Sequence, residues 1–83
     1  MRYFMKIQVS LFAYLCHMLG KEGNRCVFNI EIENDATCDD LLRILNIPSD
    51  LPILIFINGA AKEKGYLLHQ GDEVSIVPTL DGG

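Results

Sequence analysis

Two stretches near the start of the chain alternate apolar and polar residues. In the first, every second residue is apolar: Tyr3, Met5, Ile7, Val9 and Leu11. In the second, Arg25–Glu33, the same holds for Phe28, Ile30 and Ile32. A period of two is typical of strands with one buried face, so we predict two strands that pair as a hairpin. Phe12 falls on the polar face of the first strand, either as an isolated surface aromatic or as part of an exposed docking patch.

The spacing of apolar residues changes after Asn34 and predicts a helix. Thr37 suits the N-cap, and Asp40 three residues later resembles the acidic member of a capping box. An apolar stripe at helical spacing follows: Leu41, Leu42, Ile44 and Leu45. The helix should end before Pro48, because a proline disfavours helical backbone in the residue that precedes it. We expect the stripe to pack on the sheet, which is the available apolar surface.

The remainder of the chain predicts strands separated by turns. The continuous apolar run Ile53–Ile57 fits a strand buried on both sides, and Asn58 with Gly59 is a strong turn signal. A short strand is expected within residues 63–68, and a last strand over residues 73–77. Pro78 lacks an N–H group for a sheet ladder, so the last strand should end near it. One helix on one small sheet is an α+β architecture.

The sequence after Pro78 ends on two glycines, Gly82 and Gly83. Little can be buried there, so we expect a mobile tail. Glycine lacks a Cβ, and an extended Gly-Gly segment is thin enough to enter a channel that excludes side chains. By composition alone this is a weak signal, and a floppy chain end explains it equally simply.

Composition and charge narrow the classes of function. Apolar residues form 49% of the chain and charged residues 22%, which is typical of a globular domain. The net charge of −4 argues against nucleic-acid binding, which needs clustered lysine and arginine. It favours a protein partner with a basic docking surface.

The three cysteines do not form a recognisable metal or disulfide pattern. Cys16, Cys26 and Cys38 are odd in number and lack Cys-x-x-Cys spacing, so we predict free thiols and no metal site. His17 beside Cys16 suggests a nucleophile and a base, but adjacent side chains usually point apart. Asp72 and Glu73 are interpreted as a turn rather than as a catalytic carboxylate pair.

The beginning of the chain superficially resembles a signal peptide. Arg2 and Lys6 precede an apolar stretch over residues 7–19, but polar residues interrupt it and no small-residue cleavage site follows. The stretch is also too short and too polar to span a membrane. We therefore expect a cytoplasmic protein without membrane association.

Five stretches, taken together, resemble a known family. They are residues 5–13, 36–42, 56–59, 71–74 and 78–83, and their order and spacing cover nearly the whole chain. The arrangement is similar to the ubiquitin-like sulfur carriers: the small subunit of molybdopterin synthase, the thiamine-pathway sulfur carrier and the modifier that serves tRNA thiolation. The resemblance implies a β-grasp fold, a mixed sheet of four to five strands on one main helix. Residues 1–77 would form this domain and residues 78–83 a flexible tail.

The resemblance also implies a function without a catalytic apparatus in this chain. In the family, an adenylating enzyme of the ubiquitin-activating type uses ATP to activate the C-terminal glycine, here Gly83. A sulfur donor then converts the adenylate to a thiocarboxylate, which donates sulfur to an acceptor enzyme such as the large subunit of molybdopterin synthase. The chain itself would bind no cofactor, no nucleic acid directly and no metal, and would act as a carrier rather than an enzyme.

The resemblance assigns roles to several residues near the chain end and on the sheet. Gly82 keeps the approach to the adenylating site slender, and Asp81 and Leu80 belong to the tail that the partner grips. Phe12 and Val77 match positions of an apolar docking patch, although core packing explains them equally well.

The sequence departs from the family pattern in ways that leave the pathway open. Asp81 stands where a small residue is common, and Pro78 lacks a second proline beside it. The length of the chain favours molybdopterin synthesis, followed by thiamine synthesis. The pair Thr79 and Leu80, in contrast, resembles the tRNA-thiolation modifiers. The alternatives are a protein modifier that forms isopeptides through Gly83 and a non-catalytic β-grasp binding module.

Overall fold

The computed structural model describes residues 3–79. Five strands and two helices follow one another in this part of the chain. They are β1 (Phe4–Phe12), α1 (Tyr14–Met18), β2 (Arg25–Glu33), α2 (Cys38–Ile44), β3 (Ile53–Ile57), β4 (Ala60–Lys62) and β5 (Glu73–Pro78). The predicted hairpin, the helix and the last strand are confirmed, and the stretch after Ala13, whose type the sequence left open, contains the short helix α1.

The strands form one mixed sheet with the order β2-β1-β5-β3-β4. β1 pairs antiparallel with β2 and parallel with β5, and β5 pairs antiparallel with β3. The last strand of the described chain therefore lies in the middle of the sheet, bonded on both sides. This is the β-grasp arrangement, and the α+β class is confirmed.

The core lies on one face of the sheet, under α2. Alternate residues of β1 are buried there, and their exposed fractions are at most 1%: Met5, Ile7, Val9 and Leu11. The buried residues of α2 and of the segment after it recur at positions i, i+3, i+4 and i+7: Cys38, Leu41, Leu42 and Leu45. This spacing aligns them in one stripe that faces the sheet.

The position of Ile44 differs from the apolar stripe that the sequence predicts. It lies outside the i, i+3, i+4, i+7 set, and its side chain is 56% exposed. The four apolar residues of the predicted stripe therefore do not all face inward, because a helix packed on one sheet buries a single face.

The capping box at the start of α2 is present, with Asp40 as its acidic member. The Thr37 hydroxyl accepts a hydrogen bond from the Asp40 backbone N–H, and the Asp40 carboxylate accepts one from the Thr37 backbone N–H. The Thr37 backbone hydrogen bond is the main cause that holds the pKa of Asp40 below its usual range. The Arg43 guanidinium lies 3.6 Å from the Asp39 carboxylate and closer to that of Asp40, at 2.9 Å.

Two strand predictions need correction. The run Ile53–Ile57 is not buried on both sides, because α2 covers only one face and the alternation leaves Leu54 48% exposed. The short strand is not within residues 63–68 but at Ala60–Lys62, directly after the Asn58–Gly59 turn, where it pairs with β3. Residues 63–68 instead pass the start of α2, and their one ladder contact in the described chain joins Leu67 to Thr37.

None of the helices in the described part of the chain has the length and apolar character needed to cross a lipid bilayer. Their lengths are 5 residues for α1 and 7 for α2, against the roughly 20 that a bilayer requires.

Candidate protein-docking site

The face of the sheet opposite the core, here called the outer face, carries an apolar group of side chains at one end. This apolar end consists of Phe12, Val27, Leu54, Phe56 and Val77, contributed by four strands. Val27 is 46% and Leu54 48% exposed, and the other three are partly buried. A contiguous exposed apolar group of this kind is typical of an interaction site.

The strand register brings these side chains together. Leu54 of β3 is paired with Val77 of β5. The pairing of Leu11 with Ile76 places the next residue of each strand, Phe12 and Val77, side by side on the outer face. The apolar residues thus form a row across β1, β5 and β3.

A second row lies beside the first and has small residues at its centre. Ser10 pairs with Val27 on one side and with Ser75 on the other, and Ser75 pairs with Phe56. Ser10 is only 6% exposed although it faces away from the core. Ser10 and Ser75 thus separate Val27 from Phe56 in this row.

Phe12 and Val77 lie where a docking role requires them. Neither residue belongs to the hydrophobic core or to the partly buried side chains that pack against it. The alternative of core packing is therefore wrong for both, and their role in docking stays a prediction. The Arg25 guanidinium lies over the Phe12 ring, with its Cζ 5.6 Å from the ring centroid.

The opposite end of the outer face is mostly charged and acidic, and it also carries Phe4, which is 60% exposed. This acidic end contains Lys6, Gln8, Glu31, Glu33 and Glu73. In the register, Lys6 is opposite Glu31, Phe4 is opposite Glu33, and Gln8 is opposite Glu73. The outer face is therefore divided along its strands into an apolar region and a charged one.

The described chain leaves the sheet beside the apolar end. β5 ends at Pro78, as predicted. The Thr79 backbone N–H and hydroxyl then both donate to the Pro52 carbonyl, at 2.9 and 3.1 Å. Pro78 and Thr79, which the sequence places in the tail, are thus attached to the domain. The tail residues assigned to activation and grip lie outside the described residues: Leu80, Asp81, Gly82 and Gly83.

Asp72 organises a turn and has no features of a catalytic carboxylate. It is 6% exposed and accepts hydrogen bonds from the His69 backbone N–H at 2.8 Å and from the Asn58 side chain at 3.0 Å. The Asn58 side chain in turn accepts from the Glu73 backbone N–H at 3.0 Å. These bonds join the β3–β4 turn to the start of β5, which agrees with the interpretation of Asp72 and Glu73 as a turn.

The three thiols are free and poorly suited to carry sulfur. Cys16 is fully buried and donates to the Leu11 carbonyl, whereas the neighbouring His17 is exposed, so the two do not form a catalytic pair. Burial, with a smaller effect of Asp72, raises the pKa of Cys38 to about 11. Burial, followed by the Cys16 side chain, also raises the pKa of Cys26. Protonated thiols are weak nucleophiles.

Residues 3–79 contain no group of acidic, histidine and cysteine side chains able to hold a metal ion. In the same part of the chain, every buried side-chain nitrogen and oxygen has a hydrogen-bond partner. No buried polar atom is therefore left over to orient a small molecule.

The sequence identified Phe12 and Val77 but missed four residues of the site: Val27, Leu54, Phe56 and Arg25. Leu54 and Phe56 are hidden within a continuous apolar run, which shows no alternation from which an outward face could be inferred. Arg25 stands at the start of a strand, and only the pairing with Phe12 gives it a neighbour. The register between strands determines which of these side chains lie together, and it depends on residues far apart in the sequence.

Solved structures share this fold at low sequence identity. SAMP1 from Haloferax volcanii matches with a TM-score of 0.70 and 24% identity, covering 94% of this chain and 99% of that one. A Pyrococcus furiosus structure assigned as molybdopterin converting factor, subunit 1, matches with a TM-score of 0.72 and 20% identity, covering 92% and 99%. A Caldiarchaeum subterraneum ubiquitin matches with a TM-score of 0.60 and 17% identity, covering 98% and 100%.

The comparison with protein families identifies a family, whereas the solved structures show only the fold. The search of curated proteins found no match to the chain. The model of the ThiS family matches residues 9–83, which include β1 from Val9 onward, every later element and the Gly-Gly end. This match covers most of the chain and shows that the chain belongs to the ThiS family.

Proposed function

We propose that the protein is a sulfur carrier that works through the carboxylate of Gly83. An adenylating enzyme binds the apolar end of the outer face and receives the chain end in its ATP site. The carboxylate attacks the α-phosphorus of ATP and pyrophosphate leaves, giving an acyl adenylate. A sulfur donor then displaces AMP, and the resulting thiocarboxylate donates its sulfur to an acceptor enzyme.

The observation that supports this proposal is the point at which β5 ends. The last strand lies in the middle of the sheet, and the chain leaves it next to Phe12, Leu54 and Val77. Residues 80–83 can span at most about 14 Å when fully extended. A partner that covers the apolar end would therefore have the chain end within reach, without any rearrangement of the domain.

The steps assigned to this chain and those assigned to its partner follow from the chemistry of the described residues. A carboxylate is a poor electrophile until its oxygen becomes part of a leaving group, and the mixed anhydride with AMP provides that group. The metal and the basic groups for this step would come from the partner. The thiols of this chain are buried or have raised pKa values, so we assign the transferred sulfur to the carboxyl end.

The proposed acceptor pathway is molybdopterin synthesis, followed by thiamine synthesis. The first is supported by the length of the chain and by the name of the Pyrococcus furiosus neighbour, and the second by the family name.

The test of the proposal is the intact mass of the full chain. The chain is incubated with the adenylating enzyme of the same organism, ATP and a sulfide donor. We expect the mass increase of one oxygen replaced by sulfur. The increase should be absent from a chain that lacks Gly83 and from a chain with one alanine added after it. A wild-type chain that gains no sulfur with any adenylating enzyme of the organism would refute the proposal.

A second candidate function is protein modification through an isopeptide bond from Gly83. It is supported by the names of two neighbours, SAMP1 and a ubiquitin. Adducts that persist on gels under reducing conditions, and disappear when Gly83 is deleted, would favour it. Both functions use the same adenylate, so the two can coexist. Full activity after deletion of Gly82 and Gly83 would instead favour a simple binding module.

A further inference from the structure

The net charge of the chain and the charge at its apolar end have opposite signs. The whole chain carries −4, which by itself favours a basic partner surface. Among the described residues on the outer face, the acidic side chains lie at the acidic end, and the charged side chain at the apolar end is Arg25. A partner that docks at the apolar end meets a cation.

Arg25 cannot be avoided by a partner that contacts Phe12. The two residues are directly paired between β1 and β2, and the guanidinium lies over the ring. Covering Phe12 therefore also covers part of Arg25 and removes water from its guanidinium. A covered charge is unfavourable unless a group of opposite charge pairs with it.

The guanidinium is also available for such a pair. Arg25 is exposed, and it forms no ion pair with any residue from 3 to 79. The Arg25 Cζ lies 5.6 Å from the Phe12 ring centroid, and this cation–π contact uses none of the guanidinium N–H donors, so they stay available for hydrogen bonds to a partner. These donors match a carboxylate in two-point geometry, and the ring restrains the side chain before binding.

From this geometry we propose that Arg25 is a specificity-determining residue that pairs with a carboxylate on the adenylating partner. The partner surface then combines an apolar region, placed over Phe12 and Val77, with an aspartate or glutamate beside it. An adenylating enzyme without this acid leaves Arg25 unpaired and binds poorly. The inference rests on the proposed function, because it takes the partner from there.

The test measures the Kd of the full chain for the purified adenylating enzyme of the same organism at low and high salt. Arg25→Gln should raise the Kd about tenfold, because it removes a hydrogen-bonded charge pair. It should also flatten the salt dependence. Arg25→Glu should bind more weakly than Arg25→Gln, because two carboxylates then face each other. Arg25→Lys should keep most of the salt dependence.

Lys6→Gln is the matched control. Lys6 lies on the same face of the same sheet but at the acidic end, six residues before Phe12 on β1, or about 20 Å along the strand. The substitution removes the same charge and should leave the Kd unchanged. Unfolding temperatures of all variants establish that they are folded.

Three results would overturn the inference. The first is a Kd of Arg25→Gln equal to that of wild type. The second is an equal loss of affinity for Lys6→Gln, which would indicate long-range electrostatic steering instead of a contact. The third is an equal Kd for Arg25→Gln and Arg25→Glu. If the wild-type chain binds no adenylating enzyme, the proposed function fails and the inference with it. If wild type binds and only the variant pattern fails, the inference alone is overturned.

Discussion

The two ends of the outer face are built on the same strands, yet they differ in what their side chains do. At the apolar end, Phe12, Leu54 and Val77 face outward and are absent from the core. The acidic end adjoins the turn before Glu73, where the buried Asp72 side chain accepts hydrogen bonds from the Asn58 side chain and the His69 backbone N–H. The apolar end has surface that its own fold does not use, whereas the acidic end contributes to the stability of the fold. This contrast assigns partner binding to one end and structural support to the other.

The largest expected effect is at the apolar end, on binding. Leu54→Asp places a charge in the middle of the apolar row, where Leu54 is paired with Val77. Because Leu54 is 48% exposed, the fold should tolerate the change. The Kd for the adenylating enzyme should rise at least about 30-fold, as for a residue at the centre of an interface. Isothermal titration calorimetry measures it.

Gln8→Asp is the control for this substitution. It adds the same charge to the outer face, but at the acidic end. Its Kd should stay within about twofold of wild type, since rim charges have small effects on affinity. Equal losses from both variants would contradict the division of the face into two regions.

The next effect is at the acidic end, on stability. Asp72→Ala removes the acceptor of hydrogen bonds from the His69 backbone and the Asn58 side chain. Because Asn58 and His69 are exposed and their donors can bond to water instead, the loss should lower the free energy of unfolding by only about 1 kcal/mol. Denaturant unfolding measures this difference. The folded fraction of the variant should still bind the adenylating enzyme with the wild-type Kd, and a large binding defect would show that this end also takes part in docking.

The smallest effect concerns Cys38, whose pKa of about 11 is raised by burial and, to a lesser extent, by Asp72. A group whose folded-state pKa is raised contributes stability below its unfolded pKa, here 9.0, and loses it as the pH rises through the folded value. The stability of wild type should therefore fall from pH 9 toward pH 11 more steeply than that of Cys38→Ala.

The difference between the two proteins at each pH isolates the thiol from lysines and tyrosines that titrate in the same range. Unfolding midpoints measured at several pH values give this difference. A wild-type curve parallel to that of Cys38→Ala would indicate that the thiol is not desolvated.

The local elements were largely predictable from the sequence. Alternation identifies β1 and β2, and the Thr37–Asp40 pair identifies the start of α2, because both signals come from residues close together in the chain. The errors concern the short strand β4, whose place depends on its pairing with β3, and two apolar residues that adjoin buried ones, Ile44 and Leu54. Ile44 and Leu54 are as apolar as the residues beside them, and only the packing of α2 on one face of the sheet leaves them exposed.

By itself, the sequence determined strands β1, β2, β3 and β5, helix α2, the stop at Pro78 and the family to which the chain belongs. These depend on local periodicity, on the missing N–H of proline and on the order of short motifs. The tertiary structure decided that β5 lies between β1 and β3, and hence that Phe12, Arg25, Leu54 and Val77 meet on one face. The physical reason is that the register between strands brings together residues up to 65 positions apart in the sequence, such as Phe12 and Val77. The hydrogen bonds between strands fix this register only once the chain has folded.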